Sequence, residues 1–359
     1  MKIGTLPTRT LWPDPDGRSI HVIDQTALPN DFRVLRISRL EEAVSAIRAM
    51  QVRGAPLIGV TAAYGLALAI REKNDDGALE KAIARLKAAR PTAVNLHWAL
   101  ARMRTCLLDV ENRAEAAWIE AGRIAEEDVD QCRKIGEHGL DLLKSLAEKK
   151  SGKLEIMTHC NAGRLAAIDR GTAISPIYAG IDAGIDIHVW VSETRPRNQG
   201  LLTAWELRQR GIPHTVFSDN AAGYLLAQDK IDAVIVGADR IATNGDVANK
   251  IGTRLKAIAA HFSKVPFFVA APRSTFDFSC ADGTEIPIEE RSGEEVRTLS
   301  GLDADGTVKT FRLLPEGAPV FNPAFDVTPA QFITAFITER GVCIPGNLST
   351  LFGEKKKDA

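Results

Sequence analysis

Cysteine is scarce and scattered. The five residues Cys106, Cys132, Cys160, Cys280 and Cys343 include no C-x-x-C pair, which argues against a zinc site or a disulfide framework and for a reducing compartment. An excess of either charge is missing too. With 45 basic and 46 acidic side chains the formal net charge is −1, so there is no electrostatic basis for binding nucleic acid or an anionic membrane. No apolar run reaches transmembrane length, and the opening MKIGTLPTRTLW has no hydrophobic signal core, so a cytoplasmic protein is expected. Neither a P-loop nor a G-x-G-x-x-G fingerprint occurs, and neither ATP nor NAD is inferred. The one strong charge run, Glu354 to Asp358 (EKKKD), reads as a solvated tail within 353–359.

What is present is a change of pattern part-way along 359 residues, a length that suits two domains. Residues 9–25 read as a β-hairpin turning at Pro13-Asp14-Pro15-Asp16-Gly17. Helical periodicity begins at Ser38, where Ser38 and Glu41 have capping-box spacing. Further helices are expected over 56–70, 77–89, 93–108 and 113–148, with Pro56 in the first turn of the second. Lys149-Lys150-Ser151-Gly152 then breaks the pattern, dividing a mainly helical domain (1–150) from an α/β domain (151–352). In the second part apolar runs at 154–158, 187–191, 214–217, 233–236 and 267–270 alternate with helix-like segments. These segments are 164–183, 201–210, 221–228 and 249–262, and a last helix is expected over Thr328–Arg340. Strands alternating with helices imply a mostly parallel sheet covered on both faces.

In such a sheet ligands bind beyond the carboxyl ends of the strands. The residues at those ends are Cys160; Ser192, Glu193, Thr194 and Arg195; Ser218, Asp219 and Asn220; Gly237, Ala238, Asp239 and Arg240; and Ala271, Pro272 and Arg273. A thiol, three carboxylates and three arginines at one edge suit chemistry better than packing. Taken singly, each has a plainer reading: Cys160 as a small buried hydrophobe, Asp239 as a partner of Arg240, Asn249-Lys250 as a helix N-cap. Two places suit a phosphate. One is Arg53-Gly54-Ala55-Pro56, which sets glycine backbone, a helix N-terminus and a guanidinium together; the other is Lys250 with Gly252 and Thr253.

Eight blocks in order carry a family resemblance: RGAPLIGV (53–60), RPTAVNL (90–96), THCNAG (158–163), ETRPRNQG (193–200), VGADRI (236–241), NGDVANKIGT (244–253), IPIEER (286–291) and FNPAFDVTP (321–329). Together they resemble the 5-methylthioribose-1-phosphate isomerases, aldose–ketose isomerases of methionine salvage. The same superfamily holds ribose-1,5-bisphosphate isomerase and the regulatory subunits of the exchange factor for eukaryotic initiation factor two. The resemblance implies a helical N-terminal domain, a Rossmann-like C-terminal domain, a homodimer, no cofactor and no metal. It implies Cys160 and Asp239 as the catalytic pair, and Arg53, Gly54, Ala55, Arg90, Gln199, Asn249 and Lys250 as ligands of a sugar phosphate.

Three departures touch neighbouring loops. Gly171 to Ile177 reads GTAISPI where the family usually has GTALGVI; Leu201-Leu202 shortens the usual Ala-Arg-Leu; and Arg254 stands in place of a tyrosine. They leave the C5 substituent of the sugar open between methylthio, methyl and a charged group. Ribose 1,5-bisphosphate as substrate, or a subunit that binds a sugar phosphate or nucleotide without turnover, stand as the alternatives.

Overall fold

The computed structural model describes residues 9–353 and, before them, the backbone of two short strands, β1 (Lys2–Ile3) and β2 (Leu6–Pro7). The charge run from Glu354 lies outside the described residues. The expected hairpin pairs β3 (Leu11–Pro13) with β4 (Ile20–Ile23), and a third antiparallel strand, β5 (Val34–Ile37), joins it after the loop 24–33. Helix α1 (Leu40–Arg48) is entered one residue later than the capping box implies. Arg39 is its N-cap, and the Ser38 N–H donates to Glu42 Oε2 at 2.6 Å, while Glu41 pairs with Arg85 at 2.9 Å.

Helix α2 (Ala55–Glu72) is the centre of the helical part, because it is apolar nearly all round and buried accordingly. Helices α1, α3 (Asp76–Ala89), α4 (Val94–Leu107) and the long α5 (Arg113–Ala147) pack around it. Their shared core holds Leu57, Val60, Leu66, Leu86, Leu100 and Met103, all 1 % exposed or less. Helix α5 also reaches past this core: its Cys132 carbonyl accepts a 2.6 Å hydrogen bond from Ser175 on the other half of the molecule.

After Ala147 strands and helices alternate: β6 (Leu154–Thr158), α6 (Ser175–Asp182), β7 (Ile187–Ser192), α7 (Gly200–Gln209), β8 (His214–Phe217), α8 (Ala221–Ala227), β9 (Ala233–Val236), β10 (Arg240–Ala242), β11 (Val247–Lys250), α9 (Thr253–Phe262), β12 (Phe267–Ala270) and β13 (Phe276–Asp277). The chain ends with α10 (Glu294–Arg297), β14 (Thr298–Leu302), β15 (Val308–Arg312), β16 (Phe325–Thr328), β17 (Ala335–Thr338), β18 (Gly341–Cys343) and α11 (Leu348–Phe352). The main sheet has seven strands in the order β8-β7-β6-β9-β12-β17-β18, parallel except for β18 at one edge. Its first six strands thus run 3-2-1-4-5-6, the order of a doubly wound sheet, which reverses direction between β6 and β9.

Three expected helices differ. Residues Thr328–Arg340 are not helical: they end β16, make a short 3-10 turn at Ala330–Phe332 and form β17, whose Ala335-Phe336-Ile337-Thr338 run is buried throughout. The segment 164–183 is interrupted by left-handed residues at Arg170 (φ 63°) and Gly171 (φ 80°), so only a 3-10 turn and α6 are helical. Asn249 and Lys250 are not a helix start. They sit on β11 in a second sheet ordered β13-β10-β11-β16, and α9 begins only at Thr253, after the left-handed Gly252.

Candidate active site

The two strands that flank the reversal point, β6 and β9, deliver Cys160 and Asp239 respectively, so both open onto the crevice where a doubly wound sheet takes its ligand. The N-terminus of α2 closes that crevice from the helical half with Arg53, Gly54 and Ala55, and Arg90 at the end of α3 stands beside it. Gln199 enters ahead of α7, and Asn249 and Lys250 come from β11. All of these residues line one cavity of about 690 Å³, its mouth included.

Backbone geometry fixes the thiol. Cys160 has a left-handed φ of 65°, unusual for a residue with a side chain. It is held there from both sides: its N–H donates to Thr194 Oγ1 at 2.9 Å, and its carbonyl accepts from the Thr203 hydroxyl at 2.8 Å. Gly54 is the matching requirement across the cavity. Its φ of 89° and a would-be Cβ only 2.4 Å from Ala166 leave room for no other residue. Pro56 follows in the first turn of α2, where its missing N–H costs nothing.

The electrostatics are those of a dry, cationic site. Burial pulls the Arg53 guanidinium down to about 10, still cationic at neutral pH, and its buried Nη2 has no hydrogen-bond partner. Burial also lowers Lys250, whose ammonium donates to the Ala324 carbonyl at 2.8 Å and lies 4.7 Å from the centre of the Phe325 ring. Arg90 is lowered likewise and has Glu289 at 4.0 Å. Burial raises the Asp239 carboxyl against the pull of Lys250 and Arg90. It raises the Cys160 thiol too, with Lys250 and Arg53 pulling down and Asp239 pushing up. The arrangement therefore sets a carboxyl and a thiol, both shifted toward their protonated forms, beside fixed positive charge.

Not every strand-end residue reaches the cavity. Glu193, Arg195, Asp219, Arg240 and Arg273 do not line it. Arg195 instead donates to the Val296 carbonyl at 3.1 Å and Arg240 to that of Thr92 at 3.2 Å, while Arg273 stacks on Phe278. The sequence reading missed His159 and Phe325, which do line it, and Glu206, which organises the loop beneath. His159 is buried and pushed down to about 3, chiefly by desolvation, so its ring is neutral. It was legible only as the neighbour of Cys160, and Phe325 only as part of FNPAF.

A model of the initiation factor 2 subunit family matches residues 51–345, a span that holds every residue proposed above for catalysis or substrate binding. The chain belongs to that family. This family member is 61% identical to the methylthioribose-1-phosphate isomerase of Dechloromonas aromatica over 345 residues, 96% of this chain and 95% of that protein. The crystal structure of 5-methylthioribose 1-phosphate isomerase from Pyrococcus horikoshii matches with a TM-score of 0.82 at 40% identity, covering 99% of this chain and 100% of that one. That of translation initiation factor eIF-2B subunit delta from A. fulgidus matches with a TM-score of 0.79 at 38% identity, covering 97% and 100%. Among the described residues no helix is long and apolar enough to cross a membrane, and no group of three or more His, Cys, Asp or Glu is placed to hold a metal ion.

Proposed function

We infer that this chain is an aldose–ketose isomerase that converts 5-methylthioribose 1-phosphate to 5-methylthioribulose 1-phosphate. The observation that carries the chemistry is the meeting, in one crevice, of a desolvated carboxyl, a desolvated thiol and buried cations. The substrate follows from a relative of that name at 61% identity along nearly the whole chain.

A sugar whose anomeric oxygen carries phosphate has no free hemiacetal to open, so the ring oxygen must be protonated as the C1–O4 bond breaks. Asp239 is assigned that step, since burial shifts its carboxyl toward the protonated form. Hydrogen then passes from C2 to C1, which reduces C1 and oxidises C2, and the O2 proton returns to the Asp239 carboxylate. Arg53, Lys250 and Arg90 hold the phosphate, with the free N–H groups at the start of α2. Gly54 and Ala55 give the backbone its close approach, and Gln199 and Asn249 take the sugar hydroxyls.

The two cations that pull the Cys160 thiol down, Lys250 and Arg53, are the ones a bound phosphate neutralises. Binding of the phosphate therefore favours the protonated thiol, and Cys160 is assigned beside C1 and C2 as a polarisable wall and not a base. Direct hydride transfer is the route this favours, and turnover in deuterium oxide tests it. The product gains no deuterium at C1 by that route, whereas a base-mediated enediol path labels it.

The helical part (1–150) is assigned Arg53 and Arg90 of the phosphate grip, and residues 151–352 are assigned Lys250 and the chemistry, in a cytoplasmic homodimer without cofactor. Tyr224, Leu255 and Phe262, 63%, 57% and 80% exposed on the adjacent helices α8 and α9, offer an apolar face for the partner copy. Light scattering on the purified protein checks the dimer.

Turnover of methylthioribose, 5-deoxyribose and 5-phosphoribose 1-phosphates decides the substrate, with Cys160→Ser and Asp239→Asn as controls. Ribose 1,5-bisphosphate loses its one supporting charge, because Arg254 is exposed on α9 and does not line the cavity. Binding without turnover is the second reading, favoured by the likeness to eIF-2B subunit delta. Inactivity on all three sugars favours it.

A further inference from the structure

One buried lysine lies outside the cavity lining. Lys256 on α9 is fully buried, its ammonium makes no hydrogen bond, and its nearest carboxylate oxygen is Asp219 Oδ1 at 3.8 Å. A buried cation of this kind needs a structural reason. Asp219 supplies one. It accepts hydrogen bonds from the Ser192 hydroxyl, from the Thr194 N–H at 2.9 Å and from the Arg195 N–H at 2.7 Å. Ser192 ends β7, and the other two donors belong to the loop that follows it.

Within that loop Thr194 has a left-handed φ of 67°, a genuine outlier for a β-branched residue. The conformation aims its hydroxyl at the thiol loop. Thr194 Oγ1 accepts the Cys160 N–H at 2.9 Å, contacts His159 Nδ1 at 3.3 Å and donates to the Ser192 carbonyl at 2.9 Å. His159 is pinned on its other side, 2.8 Å from the Ile251 carbonyl. Two left-handed residues, Cys160 and Thr194, thus support each other through one hydrogen bond, and Asp219 anchors the second of them.

We propose that Asp219, with buried Lys256 as its counter-ion, is a positioning residue for the isomerisation: it locks Thr194, and Thr194 locks the backbone that carries the Cys160 thiol. The proposal rests on the isomerase reading above. Asp219 touches no substrate; it acts through Thr194.

The test uses the full-length Thr194→Val, Thr194→Ser, Asp219→Asn and Lys256→Met proteins beside the wild type. It reads kcat and KM on methylthioribose 1-phosphate, and iodoacetamide labelling mapped separately at Cys160 and at the partly exposed Cys106 on α4. For Thr194→Val, Asp219→Asn and Lys256→Met the expected result is a kcat loss of roughly 10- to 100-fold with KM changed less than about threefold. Labelling at Cys160 shifts severalfold while that at Cys106 stays constant, and Thr194→Ser recovers most of the turnover. The proposal is overturned by Thr194→Val with kcat and Cys160 labelling both within about twofold of wild type. It is overturned equally if both cysteines speed up together, which marks general loosening. A wild type that turns over none of the sugars sinks the isomerase reading alone. In that case the Cys160 labelling shift still upholds the coupling, and its absence still removes it.

Discussion

Replacing Glu206 by glutamine perturbs the loop beneath the thiol without changing its shape. The Glu206 side chain, fully buried on α7, accepts from the Arg164 N–H and the Leu165 N–H at 2.8 Å each, from Asn161 Nδ2 at 2.9 Å and from the Tyr178 hydroxyl at 3.3 Å. The Arg164 and Tyr178 donors share one oxygen, and the Leu165 and Asn161 donors share the other. Glutamine turns one of those oxygens into an NH2 group. Whichever way it faces, a backbone N–H of Arg164 or Leu165 meets another N–H. One buried donor left unpaired costs ~1–3 kcal/mol, and the unpaired amide N–H adds about as much. Burial pushes the Glu206 carboxyl up, and that desolvation is recovered once the charge is gone. The net loss is therefore about 2–3 kcal/mol.

Urea unfolding followed by tryptophan fluorescence at pH 7.5 measures that loss. A fall in kcat accompanies it, since Asn161 to Leu165 lead directly away from Cys160. An unfolding midpoint indistinguishable from wild type refutes the reasoning. It would show that Glu206 already carries a proton and presents one donor of its own, as glutamine does.

Asp239→Asn lowers kcat by ~10²–10⁴ through loss of the acid. Because burial raises the carboxyl and its protonated form is the active one, wild-type kcat/KM declines as pH rises through that raised pKa, a limb the variant lacks in a pH–rate profile. Asp128 on α5, pushed up to about 7 by burial, binds its proton more tightly folded than unfolded. Its contribution is present below the unfolded value of 3.8 and is lost as pH rises through about 7. Asp128→Asn, which keeps an oxygen for the Ile168 N–H, exceeds wild type in urea stability by up to ~4 kcal/mol at pH 8, with the gap narrowing toward pH 5. Gly54→Ala sets a Cβ 2.4 Å from Ala166 at a φ of 89°, destabilising the fold by ~2–4 kcal/mol and raising KM more than kcat falls, as steady-state kinetics and urea unfolding will read.

How far the chain could be read beforehand follows from where its information is local. The runs Leu154–Thr158, His214–Phe217, Ala233–Val236 and Phe267–Ala270 are strands over the expected residues, because each is apolar and bounded by turn-forming or charged positions. Thr328–Arg340 misled because its strand is short and its ends, Thr334 and Glu339-Arg340, imitate a helix's polar face. Asn249-Lys250 misled because Asn before a helix looks like a cap, whereas this end of β11 pairs with β16, more than seventy residues on, where Lys250 lies opposite Phe325. Strand β15 is exposed along its whole length, so it has no buried face to give it a period. The proposed cavity residues were legible through motif blocks. Their supports were not, because Glu206 finds its donors 28 to 45 residues away and Asp219 finds its own 24 to 27 away.

Those supports explain why three carboxyl groups near one sheet edge do different work. Glu206 is enclosed by four donors, yet burial still raises it; Asp219 has three donors and the buried Lys256 beside them. Burial works to raise Asp219, yet the Ser192 hydroxyl, Lys256 and the two loop amides outweigh it and hold the group below its ordinary value. Around Asp239 the opposing influences are charges acting through space, from Lys250, Arg90 and Arg53, and burial prevails over them. Donors together with the buried Lys256 charge thus separate Asp219 from Asp239, whereas Glu206 is raised as Asp239 is despite its donors. The carboxyl proposed to protonate the ring oxygen is thus one raised by burial, and the cations that oppose the rise are those assigned to the substrate's phosphate. On the proposed function, a bound phosphate that neutralises those cations raises the Asp239 carboxyl further, so that binding would ready the acid.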